Sequence, residues 1–131
     1  MKKYAYLIFV LIAIGIFIGA IAYNKVRTPD AVKPVEAFYE AIVTQDRDRI
    51  STITCADWEK DALREVDSFM GVKSELQDFS CSIKEDKKIE VIVTCSGSIA
   101  ATYGPEVSNF PLEGIPHRVI KERGDWRICG H

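Results

Sequence analysis

Residues 4–23 (YAYLIFVLIAIGIFIGAIAY) form an unbroken stretch without a charge, a proline or a side-chain amide, directly behind Met1, Lys2 and Lys3. A helix rises about 1.5 Å per residue, so a helix of this length extends roughly 30 Å, which matches the hydrocarbon core of a bilayer. A helix that is apolar on every face needs lipid or protein around it rather than water. The sequence therefore predicts a membrane-spanning segment, which decides the compartment of the remaining residues.

The same stretch fits two fates, a retained signal anchor and a cleaved signal peptide. Ala20 and Ala22 provide the small-x-small pattern of a cleavage site, which would give a secreted protein cut after Ala22. The apolar run exceeds the usual length of a signal-peptide core, and Tyr4, Tyr6 and Tyr23 are placed as interfacial aromatic residues at the two ends. We favour the anchor, with the N-terminus inside and the C-terminal domain extracytoplasmic.

Within the predicted span, Gly15 and Gly19 form a G-x-x-x-G pair. Such a pair lets two helix backbones approach closely in lipid and would support a homodimer. Glycine is also common in membrane helices that do not associate, so both interpretations remain open.

Beyond the span, the sequence predicts a tether at residues 24–32 and one extracytoplasmic domain at residues 33–131, after the stub and anchor at 1–23. Without Lys2 and Lys3, 15 basic residues stand against 19 acidic ones, a formal charge of −4. This mildly acidic, interspersed pattern argues against a nucleic-acid partner or an anionic lipid surface. The length of residues 33–131 suits a single hydrophobic core.

The first half of this domain has helical periodicity. Apolar residues recur at three- and four-residue steps after Pro34, and a short second helix is expected at residues 46–53. We expect Thr54 to cap a third helix that Gly71 closes, with its carboxylates facing solvent.

The second half alternates with a period of two. Residues 76–83 and 89–95 predict a hairpin whose second strand continues to about residue 103, with a bulge or bend at Gly97. A proline-containing loop is expected at residues 104–116, followed by a hairpin of residues 117–122 and 125–129. Helices followed by a curved antiparallel meander predict an α+β fold.

Two segments carry a resemblance to a known family. Residues 37–46 (AFYEAIVTQD) and residues 119–129 (VIKERGDWRIC) resemble the first helix and the final hairpin of the nuclear transport factor 2-like superfamily. The resemblance implies a cone of helices cupped by a curved antiparallel sheet around an apolar pocket. The superfamily includes isomerases, cyclases, transport adaptors and non-catalytic accessory domains, so the fold does not choose the function.

Three polar residues are candidates for the lining of such a pocket: Tyr39 on the first helix, Tyr103 at the end of the long strand and His117 at the start of the next. We interpret the tyrosines as core residues with their hydroxyl groups at the rim, and His117 as a structural residue on a surface strand beside Arg118. No carboxylate is placed to act as a buried base, so we expect no catalytic residue.

The four cysteines, Cys55, Cys81, Cys95 and Cys129, lack C-x-x-C spacing, so we expect structural disulfides and neither a metal site nor a cofactor. Of the three connectivities, Cys81–Cys95 is favoured because both residues alternate in phase with the apolar residues of the hairpin, which leaves Cys55 for Cys129. A register slip, or a bulge at Gly97, would instead favour a bond from Cys95 to Cys55 or Cys129.

Two functions remain. The first is a membrane-tethered binding or assembly module without catalytic activity, which uses the mouth of the cone or the outer face of the sheet to hold a partner protein or a small apolar ligand. The alternative is a small enzyme of the isomerase or cyclase type that uses the cone pocket.

Overall fold

The computed structural model describes residues 29–131, which form three helices and a curled five-stranded antiparallel sheet. The helices are α1 (Lys33–Thr44), α2 (Arg47–Ile53) and α3 (Glu59–Ser68). The strands are β1 (Lys73–Asp86), β2 (Glu90–Tyr103), β3 (Glu106–Pro111), β4 (Pro116–Glu122) and β5 (Asp125–Ile128). This arrangement confirms the predicted α+β class of helices on a curved sheet.

The predicted membrane span at residues 4–23, with Gly15 and Gly19, lies outside the described residues. From residue 29 onward, no helix is both long enough and apolar enough to cross a bilayer.

Helix α1 buries one face because its apolar residues recur at helical spacing. Val35, Phe38 and Ile42 are buried, and Pro34 occupies the first turn, where its missing N–H group costs nothing. The helix ends at Gln45, which adopts a left-handed conformation with φ of 58°. Its side-chain Nε2 donates a hydrogen bond of 2.7 Å to the carbonyl oxygen of Val72, which attaches the end of α1 to the start of β1.

The connection from α2 to α3 differs from the prediction. Thr54 does not cap α3, because its hydroxyl donates a hydrogen bond of 2.8 Å back to the carbonyl oxygen of Ile50. The residue instead forms an isolated parallel bridge with Ile128, and α3 begins later, after Trp58, without a side-chain cap. The end of α2 is therefore joined to the last strand.

Strand β2 is the centre of the sheet. β1 pairs along one of its edges, and the other edge is divided between β4, which pairs with residues 90–94, and β3, which pairs with residues 98–103. β5 continues the sheet beyond β4.

The predicted loop at residues 104–116 is wrong in part, because Glu106–Pro111 forms β3. This strand has side chains mostly exposed on both faces and therefore lacks the alternation by which strands are recognised. Pro105 precedes the strand and Pro111 ends it, both being positions where an edge strand tolerates proline.

The expected irregularity at Gly97 is present, and its extra residue lies on the neighbouring strand. Asp78 and Phe79 of β1 stand opposite Gly97, since the register shifts between Gln77 and Ser80. A Cβ atom at Gly97 would lie 2.4 Å from the carbonyl oxygen of Gln77, so the close approach of the two strands requires glycine. The bulge lets Leu76 and Phe79 pack on the same core despite their odd spacing.

The core lies between the inner face of the sheet and all three helices. Its residues begin before α1, since Ala31 and Val32 are already buried. Large apolar side chains that are fully buried come from every helix and from β2, β4 and β5: Phe38, Ile50, Val66, Val93, Val119 and Ile128.

Candidate functional site

Tyr39 and His117, two of the three predicted pocket residues, are in direct contact. The Tyr39 hydroxyl lies 2.8 Å from Nε2 of His117, and the two rings meet edge to face with centroids 5.3 Å apart. Tyr39 comes from the buried stripe of α1, and His117 comes from β4, where it pairs with Val93 of β2. Only 4% of Tyr39 and 0% of His117 is exposed. Helix and sheet thus share a buried polar contact.

The predicted surroundings of both residues were wrong. His117 is not on a surface strand. Its side chain is buried on the same face of β4 as that of Val119, whereas the side chain of Arg118, between them, is exposed and forms an ion pair with Glu90. The Tyr39 hydroxyl does not reach a rim, because it is bonded to the buried imidazole.

Tyr103 does not join this pair. It is 44% exposed and lies ten residues beyond Val93 on β2, a distance of roughly 30 Å along an extended strand. The three candidates therefore do not form one site.

Two residues that the sequence analysis missed extend the buried pair toward the surface. His131 Nε2 donates a hydrogen bond of 2.7 Å to the Glu65 carboxylate, and the His131 ring lies 5.6 Å from that of His117 and 5.5 Å from that of Trp58. We call Tyr39, His117, His131 and Glu65 the histidine cluster.

The sequence held a cue for one of these two residues. Glu65 follows Trp58 and Ala62 at helical spacing and precedes Phe69, so it belongs on the inner edge of α3 rather than with the solvated carboxylates. His131 follows Gly130 after the last strand, and no pattern around it indicates its contact with α3.

The cluster keeps its inner groups neutral at physiological pH. Burial, followed by the nearby His131, lowers the pKa of His117 to about 4. Burial, followed by the negative charge of Glu65, raises the pKa of Tyr39 above its usual value. The hydrogen bond to Glu65 raises the pKa of His131. A proton on the cluster is therefore favoured on the outer histidine, beside the carboxylate, rather than on His117.

One atom of the cluster is unsatisfied. Nδ1 of His117 is buried without a hydrogen-bond partner within residues 29–131. An unpaired buried nitrogen destabilises a fold, and it becomes more costly if a proton adds charge there.

The cluster has little access to solutes. Phe79 packs edge to face on Tyr39 with centroids 5.6 Å apart, and Phe38 lies between Tyr39 and Trp58. A general acid or base must come within hydrogen-bond reach of its substrate, and the two inner groups have almost no surface for that contact. Among the residues described, no group of three or more His, Cys, Asp or Glu side chains is placed to hold a metal ion.

A second candidate lies on the outer side of the helices. A groove of about 600 Å³ opens to solvent between α1, α2 and the turn of the β4–β5 hairpin. The described residues that line it are Asp30, Lys33, Pro34, Glu36, Ala37, Glu40, Arg49, Thr52, Ile53, Gly124, Asp125 and Trp126. We call it the helix–hairpin groove.

Helix–sheet contacts hold the walls of this groove together. Arg127 of β5 donates hydrogen bonds of 3.2, 3.3 and 3.2 Å from Nη1 to the carbonyl oxygens of Ser51, Thr52 and Thr54 at the end of α2. The backbone N–H of Cys55 also donates to the carbonyl oxygen of Ile128, at 2.9 Å. These hydrogen bonds therefore join the hairpin wall of the groove to the α2 wall.

The groove carries excess negative charge. Lys33 pairs with Asp30 at 2.8 Å and Arg49 pairs with Glu40 at 2.9 Å, so both lining cations already have carboxylate partners. Burial, followed by the negative charge of Glu40, raises the pKa of Glu36.

Two disulfides join the cysteines in the arrangement that strand phase favoured. Cys81 and Cys95 stand opposite each other in the β1–β2 register with Cα atoms 4.0 Å apart. Cys55 and Cys129 have Cα atoms 5.2 Å apart and connect the start of the α3 segment to the end of the sheet. No free thiol remains among the residues described, and the two bonds indicate an oxidising, extracytoplasmic environment.

The sequence matches neither a model of a known protein family nor a curated protein.

Proposed function

We propose that this protein is a membrane-tethered, extracytoplasmic binding or assembly module without catalytic activity, and that the helix–hairpin groove is its binding surface. The observation that carries the proposal is the groove itself: a concave, solvent-open space of about 600 Å³ between two helices and a hairpin. A hollow of about 200 Å³ on the outer face of the sheet is smaller and less suited to a polypeptide partner.

The position of the groove along the chain supports tethered function. Asp30 and Lys33 line it, and Asp30 follows Tyr23, the last residue of the predicted span, by seven residues. Even fully extended, seven residues reach at most about 25 Å. An anchored chain would hold the groove close to the bilayer surface, within reach of membrane proteins and their extracytoplasmic segments.

The disulfides support the proposed extracytoplasmic location. Two cross-links in a domain of this size are typical of exported proteins and are rare where thiols are kept reduced.

The packing of the histidine cluster supports a binding role over the isomerase-like or cyclase-like alternative. Such an enzyme would need a base that meets its substrate within the cone, whereas aromatic rings fill the space beside Tyr39 and His117. The cluster then serves as a polar connection between α1 and β4.

We further propose that the domain is a divergent member of the nuclear transport factor 2-like superfamily. The curled antiparallel half-barrel with three helices is compatible with that cone. The two segments that carry the resemblance fall on α1 with its left-handed cap and on the β4–β5 hairpin.

The test uses the full-length chain in its native membrane. We expect it to resist carbonate extraction, and we expect its cysteines to react with an impermeant thiol reagent from outside only after reduction. Extraction by carbonate, or a mature N-terminus at Tyr23, would show a secreted protein instead.

Binding at the groove is tested by site-specific photo-crosslinking. A photoreactive amino acid at the exposed Thr52 should give an adduct of defined mass, whereas the same amino acid at the exposed Ser82 of β1 should not. Equal labelling from both positions would contradict a binding surface at the groove.

A further inference from the structure

We infer that the helix–hairpin groove binds a basic side chain, an ammonium or guanidinium group, carried by an extended segment of a partner polypeptide. The inference rests on the proposed function and adds the chemistry of the ligand.

The charge of the groove is the first support. Of the described residues that line it, four are carboxylates and two are cations, which leaves a formal charge of −2. Asp30 and Glu40 face the two cations, whereas Glu36 and Asp125 have no ion pair within residues 29–131. A ligand cation between α1 and the hairpin turn would compensate these two carboxylates.

The apolar part of the lining is the second support. Pro34, Ala37, Ile53 and the Trp126 ring lie among the charged groups. Lysine and arginine side chains bury their aliphatic stems on such surfaces while the charged head reaches polar partners. The groove therefore offers both components that a basic side chain needs.

The indole ring of Trp126 can also attract a cation through its π face. Lys121, its cross-strand partner, already holds its Nζ 5.6 Å from the ring centroid, so the indole accepts a cation in this structure.

The shape of the groove favours a polypeptide over a small free cation. Small-molecule sites enclose most of their ligand, whereas this groove is open to solvent and is lined from three separate elements. An open trough can hold alternate side chains of an extended segment while the backbone of that segment remains hydrated.

The experiment uses the full-length protein in uncharged detergent micelles and a fluorescent hexapeptide of alternating lysine and alanine. Fluorescence anisotropy should show binding that weakens as salt is added, and a glutamate–alanine peptide should not bind. The double variant Glu36→Gln/Asp125→Asn should weaken binding about fivefold, the size expected for two partly exposed charge pairs.

A matched control separates the groove from general charge. Glu75→Gln/Glu106→Gln removes the same net charge from exposed positions on β1 and β3 and should change the affinity less than twofold. An equal loss in both double variants would overturn the proposal, because attraction would then come from overall charge.

Three further outcomes would also overturn it. If Lys25→Gln/Arg27→Gln tightens peptide binding several-fold, the occupant is the chain's own tether. If spermidine binds as tightly as the peptide, the ligand is a small cation. If the peptide fails to bind while Thr52 still gives its specific crosslink, the binding function stands and the basic ligand is wrong.

Discussion

The two halves of β2 lie in different environments. From Glu90 to Cys95 the strand pairs with β1 and β4, and its inward side chains are buried beneath the helices. Beyond Gly97 it pairs with β1 and β3, residues 99–101 are still buried, and the strand ends at the exposed Tyr103. One strand thus runs from a half that the helices cover to a half that ends exposed to solvent.

The buried polar groups lie in the helix-covered half, away from the surface that solvent can reach. The helix-covered half contains the buried Tyr39–His117 pair, whose groups have almost no contact with solvent. Near the bulge, Gly97 donates its backbone N–H to the Glu113 carboxylate at 3.0 Å, which fixes the corner where β3 gives way to β4. The Tyr39–His117 contact therefore joins α1 to β4 away from solvent, and the solvent-accessible surfaces of the described residues lie elsewhere.

The largest expected effect comes from the two disulfides, which close chain segments of very different length. Cys55–Cys129 closes a chain segment with a separation of 74 residues in the helix-covered half, and Cys81–Cys95 closes one of 14 within a hairpin next to the bulge. By loop entropy, removal costs about 4.5 kcal/mol for the first and about 3 kcal/mol for the second. Urea unfolding of Cys55→Ser/Cys129→Ser and Cys81→Ser/Cys95→Ser measures both. A larger loss from the hairpin bond would contradict this order.

The next effect is a loss of stability in acid that originates in the helix-covered half. His117 has an ordinary pKa of 6.5 and a folded pKa of about 4, so between these pH values only the unfolded chain binds the proton. Stability should therefore fall as the pH decreases from 6.5 to 4, by about 3 kcal/mol in total. Urea unfolding across this range should show a shallower loss in His117→Gln than in the unmodified protein.

His131 acts in the opposite direction and in a different window. Its pKa is raised by the bond to Glu65, so its contribution is present below the ordinary pKa and is lost as the pH rises through the raised value. With Tyr39 neutral, these groups together predict a stability maximum near pH 6.5. An unchanged acid slope in His117→Gln would assign the loss to surface carboxylates instead.

The boundary between the halves is tested at Gly97. An alanine there would place its Cβ atom 2.4 Å from the Gln77 carbonyl oxygen and 2.6 Å from that of Asp78, at a φ of +95°. We expect Gly97→Ala to cost about 2 to 3 kcal/mol. Gly104→Ala is the control, because its φ of +60° is also left-handed but no atom lies within 4 Å, so it should cost about 1 kcal/mol. Equal losses would show that the close strand approach contributes nothing.

The structural features that the sequence could predict are those that depend on the spacing of apolar residues within one helix or one hairpin. The stripe of Val35, Phe38 and Ile42 fixes the buried face of α1, and the phase of Cys81 with Cys95 fixes a hairpin register and the covalent bond across it. The glycine within a long strand likewise indicated the bulge.

The structural features that the sequence did not predict depend on contacts between distant segments, or belong to a strand without alternating apolar and polar residues. His131 meets Glu65 across 66 positions of sequence, and the groove combines α1, α2 and the final hairpin. β3 was missed because solvent exposure removed its pattern. His117 is a different case: its phase with Val119 indicates a buried side chain, but the charged Arg118 beside it is typical of a surface strand.

The smallest expected effect compares the same substitution in the two halves. Val93 on β2 is 0% exposed beneath the helices, and Val107 on β3 is 59% exposed. Valine and threonine have nearly the same shape, so the exchange changes polarity while strand propensity and packing volume stay close. Val93→Thr buries a hydroxyl and should cost about 1 to 2 kcal/mol, whereas Val107→Thr should remain within about 0.5 kcal/mol of zero. Thermal and urea unfolding of the two variants measure this difference directly. A cost at Val107 equal to that at Val93 would mean that the outer face of β3 is covered in solution, and a concentration-dependent melting temperature would identify a second copy of the chain as the cover.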